Sequence, residues 1–312
     1  MEMASLREAY GKALVELGAQ NKNIVALDAD LSKSTRTALF QEAYPERFFE
    51  ISIAEQNMIG VAVGLALTGK IPFVNSFAVF ATGRTYDQIR QSACIANINI
   101  KICGSSSGLS DFGDGATHQS LEDVALMRVL PNMTVLVPVD AVETKKMVEF
   151  AVRHNGPVYL RINRNDLPVY TDESTEFELG KLYQMRDGED AVVFANGVMV
   201  SKAMEAAEIL EKEGTGVRVV NVSTVKPLKK DEVLKYIKGV KGIVTAEEHS
   251  IIGGLGSAIV ELLRDVDHPP VEFIGVKDRF GTSASNYEEL LEYFGLTSKS
   301  ITLTIKDLLD RC

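Results

Sequence analysis

Short apolar stretches rich in β-branched residues alternate with longer helical patterns along the first half of the chain. The helical patterns include "EQNMIGVAVGLALTG", "YDQIRQSACIAN" and "DAVETKKMVEFAVRH". Strands and helices in alternation predict a largely parallel sheet that helices cover on both faces. The predicted strands are residues 23–29, 48–53, 72–77, 98–103, 134–139 and 157–162.

A second alternation of the same kind follows a polar interruption. The apolar periodicity stops in "NRNDLPVYTDESTEFELGKLYQMRDGED", whose polar, turn-rich composition cannot build a core. The later elements are strands at 191–197, 217–224, 242–248 and 271–276, helices at 199–213 and 254–264, and terminal helices in "NYEELLEYFG" and "SKSITLTIKDLLDRC". The predicted fold class is α/β, with two doubly wound, mainly parallel-sheet domains at residues 1–165 and 187–312 and a linker at 166–186.

Composition and charge narrow the possible functions. A length of 312 residues is about twice that of a typical domain, which agrees with two domains. Lys and Arg number 33 and Asp and Glu number 43, and the net charge of −10 disfavours binding to nucleic acid or to an anionic membrane surface. No apolar stretch reaches the roughly 20 residues of a membrane span, and the N-terminus predicts an amphipathic helix rather than a signal peptide. We therefore expect a cytoplasmic protein without nucleic-acid or membrane partners.

The cysteines and histidines indicate neither a disulfide framework nor a metal site. Cys94, Cys103 and Cys312 form no C-x-x-C pair and are too few for a framework, so we expect them to be reduced. The four histidines are scattered without the spacing of metal ligands. We expect this chain to supply no metal ligand.

Glu55 is a charged residue at the start of a predicted helix that is otherwise apolar. In open parallel sheets, binding sites form where loops leave the carboxyl ends of strands, and Glu55 follows the second strand in "ISIAEQNM". Capping of the helix dipole, worth about 0.3–1 kcal/mol, would explain an isolated glutamate here. The alternative is a partly desolvated carboxylate that binds a ligand nitrogen and takes part in proton transfer.

The segment "DFGDGATHQ", after the fourth strand, is the most polar and glycine-rich loop of this half. Its glycines permit tight turns close to a ligand, while Asp114 and His118 offer an acceptor and a proton-transfer group. The segment could instead be a surface loop with a solvated histidine. A diphosphate–magnesium interpretation of its Gly-Asp-Gly is disfavoured, because no suitably spaced asparagine pair follows. A long loop without secondary structure is more often functional than not.

Two further sets of residues allow a structural or a functional interpretation. Arg164 follows the last strand of the domain and could be a surface ion pair or a phosphate clamp. Phe77 and Phe80, three residues apart, could belong to the core or form an apolar wall for a planar ring.

Taken in order, these segments resemble the C-terminal half of transketolase, a thiamine-diphosphate enzyme that moves two-carbon ketol units. The resemblance rests on "DADLSKS", on "AEQ" opening a helix, on "F-x-x-F", on "DGATHQ" and on "R-x-x-LP", followed by a second α/β domain with "TAEEHSIIGGLGSAI". It spans essentially the whole chain, and "DGATHQ" together with the "AEQ" helix is its most specific part. It implies a pyrimidine-binding domain followed by a transketolase C-terminal domain.

The resemblance implies a role for each candidate residue. Glu55 matches the glutamate that hydrogen bonds the aminopyrimidine nitrogen of thiamine diphosphate and so promotes removal of the thiazolium C2 proton. Phe77 and Phe80 match residues that stack on the pyrimidine, and Asp30 matches an acidic residue near the cofactor. The residues that match contacts to sugar hydroxyls, proton transfer or substrate phosphate are Asp114, His118, Ser34 and Arg164.

The resemblance also implies a partner chain. Transketolases hold the diphosphate and Mg²⁺ (or Ca²⁺) through an upstream domain, and this sequence starts at the pyrimidine domain. We therefore expect a split enzyme, in which a separate N-terminal transketolase subunit holds the diphosphate and the metal and a dimer of heterodimers forms the heterotetramer. The expected reaction is ketol transfer between sugar phosphates, as in pentose phosphate metabolism, and the chain alone should be inactive.

Some positions depart from the family pattern. The family usually has a histidine shortly before the glycine-rich loop, where this chain has "GSSSG", so Ser106 or a neighbour replaces a substrate contact. Gly83 occupies the place of the third aromatic residue of the ring wall, although Tyr86 lies close in sequence, and Gly113 stands where a glutamate is common. These differences leave the donor and acceptor sugars open.

Three alternatives to a split transketolase remain. A 1-deoxyxylulose-5-phosphate synthase uses the same glutamate and a similar "DGxTHQ" loop, but it is normally one continuous chain. The β subunit of a 2-oxoacid dehydrogenase has about this length and domain order, but its loop is less similar to "DGATHQSLEDVALMR". A non-catalytic scaffold would keep the fold without turnover, yet Glu55, His118 and Arg164 are all present.

Overall fold

The structure is a computed structural model that describes residues 1–311; Cys312 lies outside the described residues. The strands are β1 (Met3–Ser5), β2 (Ile24–Asp28), β3 (Phe48–Glu50), β4 (Ile71–Phe77), β5 (Lys101–Ser105), β6 (Thr134–Leu136), β7 (Val158–Arg161), β8 (Asp166–Pro168), β9 (Tyr183–Arg186), β10 (Ala191–Ala195), β11 (Val217–Asn221), β12 (Thr224–Lys226), β13 (Gly242–Ser250) and β14 (Val271–Val276).

The α-helices lie between residues 6 and 309. They are α1 (Leu6–Gln20), α2 (Ser32–Thr35), α3 (Ala38–Ala43), α4 (Glu55–Leu67), α5 (Tyr86–Gln88), α6 (Asp123–Arg128), α7 (Ala141–Arg153), α8 (Met199–Glu211), α9 (Lys230–Ile237), α10 (Leu255–Leu263), α11 (Tyr287–Tyr293) and α12 (Ser298–Leu309). Short 3-10 turns occur at Pro45–Arg47 and Gly115–Thr117, and π-helical turns at Phe80–Arg84 and Ile89–Cys94.

The first sheet has seven strands in the order β12-β6-β7-β5-β4-β2-β3. All neighbours pair in parallel except β12, which pairs antiparallel with β6. Strands β2 and β5 are buried along their whole length, as expected of a parallel sheet covered on both faces. Helices α1 and α7 cover one face and α4 covers the other.

Apolar side chains of both faces build the first core. Tyr10 and Leu14 of α1 are fully buried with Met147 of α7 on one face, and Met58 and Ile59 of α4 are fully buried on the other. Burial of one such side chain contributes about 1.5–3 kcal/mol, so the two faces together hold the sheet between its helices.

The second sheet has five strands in the order β14-β13-β10-β11-β9, parallel except for the edge strand β9. The predicted α/β class with mainly parallel sheets is confirmed. Two details were not predicted. Strand β12 belongs to the second half of the sequence but completes the first sheet, and short strands occupy both ends of the segment 166–186: β8 pairs with β1, and β9 joins the second sheet.

A buried polar cluster joins the two halves. The Arg161 guanidinium donates to Asp123 at 2.8 Å and to the main-chain oxygen of Glu248 in β13 at 2.8 Å. All three residues are buried, so each charge depends on its partners. The cluster therefore fixes the second half of the chain against the loops that leave the first sheet.

Two of the predictions about composition can be checked. Cys94 and Cys103 are buried and free, as expected for reduced cysteines. Within residues 1–311, no helix has the length and apolar character that a membrane crossing requires.

Candidate active site

The polar loops predicted from the sequence lie along the carboxyl edge of the first sheet. Strand order runs outward in both directions from β2 and β4, so the chain reverses its direction of travel between these two strands. Ligands bind at such switch points in open α/β sheets, because the loops on either side leave a crevice. The loops after β2, β3, β4, β5 and β7 therefore form the candidate site.

Glu55 is the first residue of α4 and is 1% exposed. Both of its carboxylate oxygens accept hydrogen bonds from the same nitrogen of Arg84, at 2.9 and 2.8 Å. Glu55 stands in the first turn of α4, where its charge complements the helix dipole, but no side chain makes a capping hydrogen bond at Ala54. A capping role is therefore insufficient to explain Glu55, and its carboxylate is instead directed to the segment after β4.

Phe77 and Phe80 form a stacked pair beside Glu55. Their rings are 6.2 Å apart between centroids and inclined by 16°. The Arg84 guanidinium lies over the Phe80 ring at 4.6 Å while it holds Glu55. The ring face and the carboxylate thus bind one flat, nitrogen-bearing group together, which is what a site for a planar nitrogen heterocycle requires.

His118 closes the other side of this aromatic wall. Its ring meets Phe80 edge-on at 5.3 Å and Phe77 at 6.2 Å, and Thr117 Oγ1 lies 2.9 Å from its Nδ1. A histidine in this position can exchange protons with a bound ligand from the half-exposed side of the wall.

A π-helical turn separates the third position of the wall from the first two. The turn spans Phe80–Arg84 and inserts an extra residue into the helical segment after β4, a feature often found at functional sites. It leaves Gly83 exposed and aims Arg84 at Glu55, whereas Tyr86 packs against the core below α4. Tyr86 therefore does not replace the missing third aromatic ring.

The loop after β5 brings Ser106 and Asp111 to Arg164. The Arg164 guanidinium donates to Asp111 at 2.8 Å and to Ser106 Oγ at 3.4 Å, and it lies 5.7 Å from the Phe77 ring. Asp111 is buried, whereas the Arg164 side chain is 33% exposed. Burial raises the pKa of the Asp111 carboxyl, while the Arg164 cation favours its ionised form.

Asp28 at the end of β2 organises the loop that carries Asp30 and Ser34. Its carboxylate accepts hydrogen bonds from the Leu31 amide at 2.7 Å and from the hydroxyls of Thr35 and Thr37 at 2.7 and 2.8 Å. Burial raises the pKa of Asp28 to about 6 despite these bonds. The sequence directed attention to Asp30, but the buried Asp28 holds the shape of the loop, and Asp30 is exposed with a φ of 61°.

Arg7 of α1 adds a second cation near Ser34 and Arg164. Its guanidinium donates to the Ser34 main-chain oxygen at 2.8 Å. Its pKa is lowered by burial first and then by the positive charges of Arg164 and Arg36. The Arg7 Nε is buried and has no hydrogen-bond partner among the described residues. Clustered guanidinium groups with a spare donor form an environment suited to an anion.

The second half of the chain also supports this site. Glu248 of β13 is buried; its carboxylate accepts from the Leu109 amide at 2.8 Å and from the Asn163 amide group at 3.2 Å. Gly108 adopts a φ of 62°, and a Cβ there would lie 2.4 Å from the Glu248 carboxyl carbon. Burial raises the pKa of Glu248 to about 7. Glu248 therefore ties the loop after β5 to the start of the loop after β7.

The residues predicted from sequence fall into three groups. Glu55, Phe77, Phe80 and His118 come together around one aromatic wall, and Ser106 and Arg164 lie beside it. Ser34 is connected to this group by Arg7, which donates to the Ser34 main-chain oxygen and lies within electrostatic range of Arg164. Asp30 and Asp114 are exposed at the rim. Among residues 1–311 there is no cluster of three or more histidine, cysteine, aspartate or glutamate side chains able to hold a metal ion.

Sequence reasoning missed Arg7, Arg84, Asp28, Asp111 and Glu248. Asp28 and Asp111 stand inside loops already singled out, so their polar character was the available signal. Arg84 follows the glycine that replaces an aromatic residue, which marked the segment as unusual. Arg7 lies in the predicted N-terminal helix and Glu248 in a predicted strand of the second domain, and both positions are far in sequence from the loops of the site.

Family models describe almost the whole chain. The transketolase pyrimidine-binding domain matches residues 2–169, and the transketolase C-terminal domain matches residues 180–301. A solved structure described as a split gene transketolase, inactive beta4 tetramer, is 46% identical, covers 98% of both chains and superposes with a TM-score of 0.90.

Curated relatives differ in length. A 6-deoxy-6-sulfo-D-fructose transketolase subunit of Clostridium sp. (strain MSTE9) is 42% identical over 98% of this chain and 95% of its own. Human transketolase is 36% identical over 98% of this chain but only 49% of its own length. The chain thus spans nearly all of some relatives and about half of others.

Proposed function

Because the chain belongs to the transketolase family, we propose that it is the C-terminal subunit of a two-subunit, thiamine-diphosphate-dependent transketolase that transfers a two-carbon ketol unit between sugar phosphates. The observation that carries this proposal is the position of Glu55, whose buried carboxylate binds the same Arg84 guanidinium that lies over the Phe80 ring. In this proposal residues 1–165 form the pyrimidine-binding domain, 166–186 the linker and 187–312 the C-terminal domain.

The residues present fit the aminopyrimidine of thiamine diphosphate. The Arg84 guanidinium is itself a flat group with nitrogen donors, and it is accommodated over Phe80 with both Glu55 oxygens in hydrogen-bond contact. A pyrimidine ring needs the same two partners, namely an apolar face and a carboxylate that bonds its ring nitrogen. When bound, the cofactor supplies the nucleophilic carbon that carries the two-carbon unit from donor to acceptor.

Glu55 would orient this ring and hold a proton at its nitrogen. A carboxylate in a site with low water content forms a stronger hydrogen bond than one in bulk solvent, so burial suits this task. Phe77 and Phe80 would support the ring from one side, and Asp30 would lie near the cofactor at the rim. His118, which meets both phenylalanines edge-on, would exchange protons with the hydroxyl groups of the substrate.

The cationic group beside the aromatic wall would bind the terminal phosphate of the sugar. Arg7 and Arg164 would supply guanidinium donors, and Ser106 has its hydroxyl 3.4 Å from Arg164. Ser34, whose main-chain oxygen accepts a hydrogen bond from Arg7, would supply a second hydroxyl. Asp114 would accept hydrogen bonds from sugar hydroxyls at the exposed end. Such a site orients an extended sugar phosphate with its reacting end at the wall and its anion at the arginines.

A separate N-terminal transketolase subunit would complete the site and hold the diphosphate with its Mg²⁺ or Ca²⁺. Helix α4, which starts at Glu55, exposes Gly60, Gly64 and Leu67, and among residues 1–311 nothing packs over its two glycines. Ile53 and Leu67 at its two ends are 70% and 71% exposed, and a Cβ at Gly60 or Gly64 would meet no atom within 4 Å. Exposed apolar patches of this kind are typical of interaction surfaces. We propose a dimer of heterodimers, in line with relatives that are named as subunits.

Reconstitution tests the proposal. The chain should co-purify with its diphosphate-binding partner, and the pair should transfer a ketol unit from xylulose phosphate to ribose phosphate with thiamine diphosphate and Mg²⁺. The variant Gly64→Lys should fold but lose the partner, because a Cβ at this position meets no atom of the described residues within 4 Å and the lysine adds a charge to the exposed side of α4. Glu208→Lys on the exposed side of α8 is the matched control and should assemble normally. A pair that forms but condenses pyruvate instead of transferring a ketol unit would contradict the proposal.

A further inference from the structure

The proposed phosphate subsite of Arg7, Arg164, Ser34 and Ser106, called the anion subsite below, also contains a carboxylate. Asp111 accepts a hydrogen bond from the Arg164 guanidinium at 2.8 Å. The carboxylate also lies within electrostatic range of Asp114 and His118 on its own loop and of Arg7 on α1. One of the two arginines expected to bind a terminal phosphate is therefore already partly neutralised.

Stability alone does not account for this pair. Asp111 is 3% exposed, and burial raises the pKa of its carboxyl. Keeping this buried carboxylate ionised therefore costs free energy. The Arg164 side chain remains 33% exposed, and ion pairs with a partly exposed member contribute little to folding. The exposed part of the guanidinium keeps donors available for a ligand beside the buried carboxylate.

The carboxylate changes the charge that the subsite tolerates. An anion bound to the free side of the Arg164 guanidinium would lie about 6 Å from the Asp111 carboxylate, given the width of the guanidinium group. At an effective dielectric constant of about 40, between that of a protein surface and that of water, each unit of negative charge is then disfavoured about tenfold. A phosphate dianion carries about one charge more than a sulfonate at neutral pH, so the two groups are discriminated by this factor.

We propose that Asp111 is a specificity-determining residue, which makes the subsite favour a terminal group with a single negative charge, as in a sulfonate, over a phosphate dianion. This inference rests on the proposed ketol transfer and revises one detail of it, because the terminal group that the same site prefers becomes a sulfonate in place of the phosphate. Ser106 contributes to the same selection, since a neutral hydroxyl at 3.4 Å from Arg164 adds no positive charge to offset Asp111.

The test compares two ketose donors that differ only in a terminal phosphate or sulfonate. The reconstituted two-subunit enzyme is assayed at pH 7.5, and kcat/KM is measured for both donors in the wild type and in Asp111→Asn. The ratio of sulfonate to phosphate kcat/KM should fall about tenfold in the variant, equivalent to about 1.4 kcal/mol, with the change in KM rather than kcat. An unchanged ratio, or a ratio that moves towards sulfonate, overturns the inference.

Asp166→Asn is the matched control. Asp166 is exposed and lies within electrostatic range of Arg7 but does not bond Arg164, so its removal should change the ratio less than about twofold. If Asp166→Asn changed the ratio of sulfonate to phosphate kcat/KM as much as Asp111→Asn does, the selectivity would come from the overall electrostatic field of the region. That result would overturn a specific role of Asp111. If Asp111→Asn does not fold, Asp111→Ser, which also removes the charge, takes its place with the same expected ratio.

A binding experiment separates failure of this inference from failure of the proposed function. Calorimetry on the full chain compares methyl phosphate with methanesulfonate in the wild type and the variant. If the wild-type enzyme transfers no ketol unit, the proposed function is wrong. A tenfold shift of the ratio of dissociation constants would still support Asp111 as the element that sets anion charge, and a constant ratio would overturn it.

Discussion

Replacement of Arg84 by methionine should increase the affinity of the reconstituted enzyme for thiamine diphosphate. In the structure the Arg84 guanidinium covers the Phe80 ring and donates to both oxygens of Glu55. Under the proposed function the aminopyrimidine needs the same ring face and the same carboxylate. The cofactor must therefore displace Arg84 before it binds, and part of its binding free energy is lost in that exchange.

The size of the effect follows from the contacts that the cofactor must break. Hydrogen bonds to a charged group contribute about 1.5–3 kcal/mol, and a cation–π contact at an exposed site adds about 0.5–1 kcal/mol. The Arg84 side chain is 44% exposed, so solvent screening reduces the total to about 1–2 kcal/mol. The dissociation constant for thiamine diphosphate should accordingly fall about 5- to 30-fold.

Two measurements check this reasoning together. Titration calorimetry on the reconstituted enzyme gives the affinity, and urea unfolding of the isolated chain should show Arg84→Met to be less stable than the wild type, because Glu55 is left buried without its cation. Arg90→Met, an exposed arginine in the same helical segment, is the control and should change neither value. Equal or weaker cofactor binding by Arg84→Met would refute displacement, and would assign Arg84 a direct role in the assembled site.

Three further predictions concern the proposed role of Glu55, the contact between the halves and the pH dependence of stability. Glu55→Gln should assemble with the partner but slow exchange of the cofactor C2 proton at least about 100-fold, as measured by NMR; exchange at the wild-type rate would exclude the proposed role. Gly108→Ala should lower the free energy of urea unfolding by about 2–4 kcal/mol, because its φ is 62° and its Cβ would lie 2.4 Å from the Glu248 carboxyl carbon; a loss below about 0.5 kcal/mol would show that the loop adapts freely. Burial raises the pKa of Glu143 from 4.5 to about 7, so the native state binds its proton more tightly than the unfolded state, and stability should fall as pH rises through that interval. Glu143→Gln should flatten this slope in denaturant unfolding at several pH values, and an unaltered slope would assign it to other groups.

The fold class followed from local patterns that do not depend on distant contacts. Short apolar stretches rich in β-branched residues, in alternation with helical stretches, leave few arrangements other than parallel sheets with helices on both faces. The strands that precede Glu55 and Arg164, and the strand that ends at Phe77, were predicted for the same reason. The short strands β8 and β12 were missed, because each owes its conformation to a pairing partner more than 80 residues away rather than to its own side chains.

The sequence by itself determined the α/β fold and indicated the polar loops and most of the side chains at the aromatic wall, since each of these depends on a short segment of the sequence. Only the tertiary structure decided how their charges are partnered. Arg84 turns to Glu55 because a π-helical turn shifts its direction, Asp111 meets Arg164 across 53 residues, and Glu248 reaches the same loop from the other half across 139 residues. Partner choice between charged groups depends on distance and burial in three dimensions, and neither quantity is encoded in the local sequence.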